Sequence, residues 1–245
     1  IHAGHGEFPR LVLAPSDPQD AVNKTIRAFD LADRFQIPVL LLTDQYLADS
    51  FFSLPRLEIP TSACTPHLAD PAAFTEYARY ALTEDGVSPR LVYGQSERLV
   101  SIDSDEHTEA GHITEDLANV RPAMVEKRLE KMRRLRAIVE PPRQTDVDGA
   151  DIVLIGWGST RGAIDEALRQ LQAEGRKAGS IHFTELWPLP ELAFPSGPAY
   201  WAIEGNATGQ LASLLKQEAG LALAGRVGRS DGVAIDAPFI LEALS

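Results

Sequence analysis

The alternation of apolar and polar blocks predicts a β–α–β unit over residues 10–45. The stretch "RLVLAP" is a short apolar run ended by a proline, and "PQDAVNKTIRAFDLADRF" (18–35) repeats its apolar residues at helical spacing. Ser16 or Asp17 can cap that helix. The continuous apolar run "IPVLLLTDQ" (37–45) is typical of a strand covered on both faces. A strand, a helix and a second strand in this order predict a parallel sheet.

The middle of the chain predicts an irregular segment followed by one long helix. Residues 53–100 are interrupted by prolines, and we expect a short helix at Phe74–Leu82. Residues 117–139 should form a helix whose apolar stripe is Val125, Leu129, Met132, Leu135 and Val139. The opposite face is basic and carries Arg121, Lys127, Arg128, Lys131, Arg133, Arg134 and Arg136. That face could be solvated, form a basic patch, or pair with the acidic segment just upstream.

A second α/β region follows the long helix. The stretch "EPPRQTDVDGA" (140–150) ends the helix with two prolines and predicts a linker. After it come a strand "DIVLIGWG", a helix, further strands in "KAGSIHF" and "AYWAIEGN", and a last helix near Phe239–Leu244. We therefore divide the chain into residues 1–140, a linker at 141–149, and an α/β domain at 150–245.

Composition narrows the classes of function. The chain has 245 residues, a net charge of −12 and 44% hydrophobic residues, which suits a large core and argues against nucleic acid as a partner. We expect no membrane span, because no apolar run reaches about 20 residues. One cysteine, Cys64, excludes an internal disulfide within this sequence and favours a cytoplasmic location. The chain begins at Ile1 without a methionine, so we expect a piece of a longer protein.

Two glycine-containing turns are candidates for ligand binding. "GWGSTRG" follows a strand and opens a helix, as in dinucleotide-binding proteins, but its glycines are spaced G-x-G-x-x-x-G, one residue too long. A tight strand–helix turn needs such glycines without any nucleotide. In "EGNATGQ" we expect Asn206 or Thr208 to cap the next helix.

The segment "IDSDEHTEAGHITED" (102–116) concentrates six carboxylates and two histidines. Counted from Asp103, it lacks the glycine and the glutamate of a calcium loop at the sixth and twelfth positions. His107 and His112 are five residues apart with a glycine between them, which does not match helical zinc ligands. We therefore expect no high-affinity metal site here. The segment can instead pack against the basic face of the following helix.

Several segments together resemble the alpha subunits of 2-oxoacid:ferredoxin oxidoreductases, and the 2-oxoglutarate type in particular. The matching stretches, in order, are "GHGEFPR", "IPVLLLTDQYLADS", "TEDGVSP", "SDEHTEAGHITED", "MVEKRL", "GWGSTRGAI", "HFTELWPLP" and "GNATGQ". The resemblance implies an α/β chain: the end of a thiamine-pyrimidine-binding domain with a parallel sheet, then a domain like the C-terminal domain of transketolase. It also implies that the acidic segment is a family hallmark.

The resemblance implies an oxidative decarboxylation of a 2-oxoacid to an acyl-coenzyme A. Thiamine diphosphate with magnesium would be shared with a beta subunit, which would also carry a 4Fe–4S cluster that passes electrons to ferredoxin. The family's glutamate that contacts the aminopyrimidine and its Y-P-I-T-P segment do not occur in this sequence. We therefore expect the C-terminal portion of a longer alpha subunit, which should be inactive alone.

The glycine-rich loop "HAGHGEFPR" supplies the candidate site residues. Ligands of α/β proteins lie at the edge of a parallel sheet, and this loop directly precedes a strand. By resemblance to the thiamine-facing loop of related folds, we expect His5 to be catalytic and Gly4, Gly6 and Glu7 to contact the cofactor. Two other functions stay open on the residues alone: a nucleotide-binding dehydrogenase domain built on "GWGSTRG", and a non-catalytic interaction module.

Overall fold

The computed structural model describes residues 1–2, 4–54, 56–59 and 65–245, so Cys64 lies outside the described residues. The helices of this part of the chain are α1 (Pro18–Phe35), α2 (Gln45–Asp49), α3 (Val120–Arg136), α4 (Arg161–Ala173), α5 (Gln210–Ala219) and α6 (Ala237–Ala243). The strands are β1 (Leu11–Leu13), β2 (Val39–Leu41), β3 (Arg143–Thr145), β4 (Ile152–Trp157), β5 (Ala178–Phe183), β6 (Glu185–Trp187), β7 (Ala199–Glu204) and β8 (Gly225–Gly228). Short 3-10 turns lie at Pro71–Ala73 and Gly158–Thr160.

Helix α1 begins and ends where the sequence predicts. The Asp17 carboxylate accepts a hydrogen bond from the backbone N–H of Asp20 at 2.8 Å. In return the Asp20 carboxylate accepts one from the backbone N–H of Ser16 at 2.9 Å. This reciprocal pair satisfies N–H groups that have no partner within a first helical turn. The expected cap at Ser16 or Asp17 is confirmed, with Asp17 in the capping role.

Strands β1 and β2 belong to a sheet of order β2–β1–β6. The Leu11 N–H donates to the Pro38 carbonyl and the Leu42 N–H donates to the Leu13 carbonyl. The paired positions rise together along both strands, as they do in a parallel pair. Strand β6 joins β1 antiparallel, with Val12 opposite Trp187.

The expectation that residues 37–45 form a strand buried on both faces is wrong. Strand β2 has only three residues, and Leu40 is 43% exposed. It is an edge strand of the described sheet, and its other two residues are only half-buried. Apolar composition alone does not distinguish such an edge from a buried central strand.

The main sheet has the order β3–β5–β4–β7–β8. Strand β3 is antiparallel to β5, whereas β5, β4, β7 and β8 are mutually parallel. One face of the sheet packs on a cluster that includes Ile155, Phe183 and Leu215, and the other packs on one that includes Leu154, Ile164 and Ile240. The α/β fold class predicted from the sequence is confirmed.

Packing divides the chain into two compact units that interleave along the sequence. The first unit comprises residues 1–11, 26–39 and 61–138, and the second comprises 12–25, 40–60 and 139–245. The predicted linker at 141–149 is wrong in part, because strand β3 lies within it and pairs with β5. The prolines end helix α3, but the residues after them are sheet. The family-level division into 1–140 and 150–245 stays a prediction.

The expected helix at Phe74–Leu82 does not form. The Arg98 guanidinium donates to the carbonyls of Pro71 and Thr75 at 3.3 and 2.8 Å, and also to that of Phe74. Those carbonyls are therefore held in an open loop by one side chain. Helical periodicity over nine residues is too weak a signal to outweigh such a tertiary contact.

Helix α3 is confirmed, but its buried face is not the predicted apolar stripe. The residues of α3 that are buried are Met124, Lys127, Lys131 and Leu135. Of the predicted stripe, Leu135 and Val139 are buried, whereas Val125, Leu129 and Met132 are only half-buried. Lys127 and Lys131 thus lie on the inner face, where the backbone carbonyls of Tyr80 and Gln36 accept their hydrogen bonds.

Candidate functional site

The N-terminal loop presents the predicted site residues at the surface of the first unit. His5, Gly6 and Glu7 are exposed, as is Gly4. Gly4 and Gly6 have positive φ angles of 136° and 75°, which a residue with a side chain rarely adopts. A Cβ atom at Gly4 would lie 2.7 Å from the Phe8 ring, whereas one at Gly6 would meet no atom within 4 Å. The loop is therefore shaped by glycine, and its backbone at Gly6 lies open to an approaching ligand.

The end of this loop is fixed by a cation on an aromatic ring. The Arg10 guanidinium carbon lies 4.1 Å from the centroid of the Phe8 ring, and Arg10 itself is 7% exposed. This stacking attaches the loop to the start of β1. His5 and Glu7 extend from that anchor, and the described part of the chain offers them no hydrogen bond or ion pair.

The acidic segment is attached to helix α3 by a bidentate ion pair. The two terminal nitrogens of Arg128 donate to the two carboxylate oxygens of Glu106 at 3.0 and 2.9 Å. Arg121 approaches the same carboxylate at 3.7 Å. The Arg128 guanidinium lowers the pKa of Glu106, although burial opposes that shift. The interpretation that this segment pairs with the basic helix face is confirmed.

The rest of the acidic segment is held by a ring contact with Tyr80 and by hydrogen bonds within the segment and to the residues that follow it. The His107 ring stacks on the Tyr80 ring with a centroid distance of 3.7 Å. The Thr108 N–H donates to the His112 carbonyl at 2.8 Å and closes a tight turn. The Asp116 carboxylate accepts from the N–H groups of Ala118 and Asn119 at 3.0 and 2.9 Å. Over the described ranges, no three His, Cys, Asp or Glu side chains are placed to hold a metal ion together. The absence of a tight metal site stays a prediction.

Two lysines of helix α3 lie inside the first unit. Lys127 Nζ donates to the Tyr80 carbonyl at 2.8 Å, and Lys131 Nζ to the Gln36 carbonyl at 3.4 Å. Burial lowers the pKa of both lysines to about 8, helped by neighbouring cations such as Arg79. The sequence places these lysines on the basic face of the helix, and no motif distinguishes them from their exposed neighbours.

In the second unit, Gly156 of the "GWGSTRG" turn is packed against helix α4, whereas Trp157, Gly158 and Ser159 of the same turn line a cleft. A Cβ atom at Gly156 would lie 2.2 Å from Ile164 Cδ1 and 2.7 Å from Thr160 Oγ1. Thr160 Oγ1 donates to the Trp157 carbonyl at 2.8 Å and accepts from the Trp157 N–H at 3.1 Å. Gly156 is therefore needed for the close approach of helix α4, which gives this one glycine a structural role.

The N-terminus of helix α5 is held by a buried carboxylate that sequence reasoning missed. Glu204 is fully buried and accepts from the backbone N–H groups of Leu211 and Ala212 at 2.8 and 3.2 Å. The residue at the N-cap position of α5 is Gly209, and Asn206 supports the turn before it by accepting from the N–H groups of Gly209 and Gln210 at 2.8 and 3.1 Å. The signal for Glu204 was present in the sequence, because an acid that ends a buried strand just before a helix can reach its N-terminus.

A cleft of about 580 Å³ opens in the second unit at the carboxyl ends of β4 and β7. Strand order reverses between these two strands, since β5 lies on one side and β8 on the other. Such a switch point is where open α/β sheets bind ligands. The cleft is lined by apolar walls and by polar side chains, among them Asp44, Trp157, Ser159, Asn206, Gln210 and Arg229.

Residues 2–127, about half of the chain, match the family described as pyruvate flavodoxin/ferredoxin oxidoreductase, thiamine diphosphate-binding. The chain belongs to this family. The resemblance drawn from the short motifs is thereby confirmed at the level of 2-oxoacid:ferredoxin oxidoreductase alpha subunits.

Relatives and a solved structure agree with that assignment. The chain is 35% identical over 227 residues to subunit alpha of 2-oxoacid:ferredoxin oxidoreductase 2 from Aeropyrum pernix, covering 88% of this chain and 35% of the relative. It is 32% identical to the corresponding subunit from Saccharolobus solfataricus, with coverage of 90% and 36%. The 2-oxoglutarate:ferredoxin oxidoreductase of Magnetococcus marinus superposes with a TM-score of 0.86 at 30% identity, over all of this chain and 43% of that one. The chain thus spans about a third of the length of these curated relatives.

None of the described helices is long and apolar enough to cross a membrane.

Proposed function

We propose that this chain forms part of the alpha subunit of a thiamine-diphosphate-dependent 2-oxoacid:ferredoxin oxidoreductase. Its reaction would be the oxidative decarboxylation of a 2-oxoacid to an acyl-coenzyme A, with ferredoxin as the electron acceptor. The observation that carries the proposal is the family match over residues 2–127, joined to a structural likeness that extends over the whole chain.

We propose 2-oxoglutarate as the 2-oxoacid. The Magnetococcus marinus structure is of a 2-oxoglutarate enzyme with 2-oxoglutarate, coenzyme A and succinyl-CoA bound. A further relative, 23% identical over 188 residues, is the 2-oxoglutarate synthase subunit KorA of Methanothermobacter thermautotrophicus. The relatives with higher identity are named only for 2-oxoacids in general, so the preference rests on the structural neighbour.

The N-terminal loop fits a cofactor-facing role. Its exposed imidazole at His5 is not engaged by the described chain, and the backbone at Gly6 has open space beside it. Thiamine diphosphate supplies a nucleophilic carbon for attack on the 2-oxoacid carbonyl. Negative charge would develop on the carbonyl oxygen of the 2-oxoacid, and the imidazole N–H of His5, held against that oxygen, would stabilise it. His5 can also relay a proton. Gly4, Gly6 and Glu7 would contact the cofactor around it.

The partners follow from the reaction. A beta subunit would share the thiamine diphosphate and its magnesium ion and would carry the 4Fe–4S cluster that delivers electrons to ferredoxin. The site for the cofactor would therefore be incomplete on this chain, and we expect no turnover by the chain alone. We place the assembled enzyme in the cytoplasm.

Reconstitution tests the proposal. The full alpha subunit that contains this chain is assembled with its beta subunit, and ferredoxin reduction is followed with 2-oxoglutarate and coenzyme A, with and without thiamine diphosphate. We expect reduction that depends on thiamine diphosphate, and a kcat/KM for 2-oxoglutarate at least tenfold above that for pyruvate. Ferredoxin reduction at the same rate without thiamine diphosphate would refute the proposed reaction. A preference for pyruvate would refute only the substrate.

A further inference from the structure

We propose that Phe8 and Arg10 are positioning residues for His5. Stacked on each other at the base of the N-terminal loop, they hold the loop backbone at Gly4 and thereby fix where the imidazole of His5 lies. The inference rests on the proposed function, because it concerns the same loop. It begins from the contrast between residues 4–7, which are exposed, and the buried residues that follow them.

The base of the loop is fixed in the first unit. Pro9 and Arg10 are buried, and Leu11, the first residue of β1, is fully buried. The Leu11 N–H donates to the Pro38 carbonyl at 3.1 Å, which joins the start of β1 to the residue before β2. Arg10 therefore lies at a fixed point of the fold, directly before a paired strand.

The exposed part of the loop has no hydrogen-bonded anchor of this kind. No hydrogen bond joins residues 4–8 to another described residue. Gly4 and Gly6 flank His5, and glycine has the widest choice of backbone conformations. Without another restraint, such a segment would carry His5 through many positions. A catalytic group has to be held within about 0.5 Å of its productive place.

The stack of Phe8 and Arg10 supplies that restraint. The Arg10 guanidinium carbon lies 4.1 Å from the centroid of the Phe8 ring. The backbone at Gly4 lies against both side chains, since a Cβ atom there would be 2.7 Å from Phe8 Cε1 and 3.3 Å from Arg10 Nη2. At Gly6 a Cβ atom would meet nothing within 4 Å. The position of His5 is therefore set from its N-terminal side, by contacts that lead back to β1.

The chemistry of the two side chains suits this role. A guanidinium is flat, always charged and stacks on aromatic faces, whereas a lysine ammonium is a compact, strongly hydrated point charge. Arg10 is 7% exposed, and a cation on an aromatic ring is held more strongly when water is excluded. Both side chains act through the backbone at Gly4 and take no part in the chemistry themselves.

Kinetics of the assembled alpha–beta enzyme test the inference. Arg10→Met keeps a long side chain without the flat cation, and Phe8→Leu removes the ring. Each should lower kcat by about 10- to 100-fold with a much smaller change in KM, since a displacement of about 1 Å has an effect of this order. Arg10→Lys should recover part of the loss, because an ammonium can still lie over the ring.

Arg34→Met is the matched control. Arg34 also lies over a phenylalanine of the first unit, with its guanidinium carbon 5.2 Å from the Phe35 ring centroid, but outside the loop. This variant should turn over as wild type. Melting temperatures of all variants separate lost positioning from lost folding.

The same substitutions in a His5→Ala enzyme separate positioning from a general loss of structure. If the stack acts through His5, Arg10→Met should cost nothing further once the imidazole is gone, because coupled sites are not additive. A full additional loss in that background would overturn the inference, as would wild-type kcat in both Arg10→Met and Phe8→Leu.

Backbone order in the 245-residue chain tests the stack without any turnover. In ¹⁵N relaxation of glycine-labelled protein we expect an order parameter of about 0.85 at Gly4, and below about 0.6 at Gly4 in Arg10→Met. Equal order at Gly4 in the two proteins would overturn the inference even if the enzyme is active. Order at Gly4 that depends on Arg10, in an enzyme without thiamine-dependent turnover, would refute the proposed reaction and support the hold of the stack on the loop.

Discussion

The ammonium group of Lys127 donates a hydrogen bond to the carbonyl oxygen of Tyr80 at 2.8 Å, from the inner face of helix α3. Lys131 lies one turn further on and reaches the Gln36 carbonyl. Both lysines are 9% exposed. Two basic side chains of helix α3 therefore bind backbone carbonyls of neighbouring segments and do not face solvent.

The buried lysines predict that stability rises with pH above neutrality. Burial lowers the pKa of both to about 8, and the nearby cations Arg79 and Arg128 lower it further. Lys131 adds to the shift of Lys127, whereas Glu109 opposes the shift of Lys127 and Asp85 that of Lys131. In the unfolded chain a lysine titrates near 10.4. Between about pH 8 and 10.4 the unfolded chain holds more protons, so the free energy of unfolding should increase.

Urea unfolding at about pH 8 and pH 9.5 measures this slope. One pKa unit corresponds to about 1.4 kcal/mol, so we expect a rise on the order of 1–3 kcal/mol, and a smaller rise in Lys127→Met. Lys216→Met, at an exposed position, should leave the slope unchanged. A wild-type slope in Lys127→Met would show that this lysine does not titrate in the expected range.

The pairing of Glu106 with Arg128 predicts that the acidic segment stabilises the first unit. The pair is bidentate, and the Glu106 side chain is 14% exposed. Glu106→Gln should lower the free energy of unfolding by about 1–2 kcal/mol at neutral pH. Because the folded-state pKa of Glu106 is lowered, this contribution is present above the unfolded pKa and is lost as the pH falls below it.

A surface pair provides the control for Glu106. Glu126 pairs with Arg133, and its side chain is 65% exposed. Glu126→Gln should cost no more than about 0.5 kcal/mol in the same urea titration. Equal losses in the two variants would mean that the acidic segment is no better anchored than an ordinary surface ion pair.

The sequence predicted regular elements well where local signals and packing agree. Helix α1 is an instance, since its cap at Asp17 and its apolar period specify the same helix. The buried face of α3 was not predictable, because the partners of Lys127 and Lys131 are carbonyls far along the chain. The same holds for Phe74–Leu82, where Arg98 holds the backbone open.

The candidate sites, too, were predictable only in part from the sequence. The role of His5 was inferred from a resemblance, and only the accessibility of its loop can be read from the structure. The cleft was foreseen only in part. The "GWGSTRG" turn that lines it was a candidate for ligand binding, but Asp44 lies 113 residues from Trp157 in sequence and no local motif joins them. Long-range proximity of this kind comes from strand order, which apolar periodicity does not encode.

Two glycines of the "GWGSTRG" turn should respond oppositely to alanine. Gly156→Ala would place a methyl group 2.2 Å from Ile164 Cδ1, and repacking should cost about 1–3 kcal/mol. At Gly162 a Cβ atom would meet nothing within 4 Å, and the residue lies in helix α4. Gly162→Ala should therefore stabilise the protein by about 0.5 kcal/mol, through reduced freedom of the unfolded chain. Thermal melts of the two variants decide, and a stabilised Gly156→Ala would contradict the packing of the turn.

The contacts of Glu185 in the second unit predict the relative melting temperatures of two shortened chains. The buried Glu185 carboxylate accepts from Lys24 Nζ at 2.9 Å and from the Glu140 N–H at 3.0 Å. A chain of residues 148–245 loses both partners and strand β3, so it should melt well below a chain of residues 139–245, which keeps Glu140. If the two lengths melt together, the β3 and Glu140 contacts contribute nothing measurable.

The central claim is that this chain supplies part of a thiamine-dependent active site through His5. The direct measurement is thiamine-diphosphate-dependent decarboxylation of 2-oxoglutarate by the assembled alpha–beta enzyme carrying His5→Ala, beside His112→Ala as an exposed histidine control. The account predicts a fall in kcat of roughly 100- to 1,000-fold for His5→Ala, the cost of one donor to a developing oxyanion, with an unchanged melting temperature and an unaffected His112→Ala. Wild-type turnover by a folded His5→Ala enzyme would contradict it.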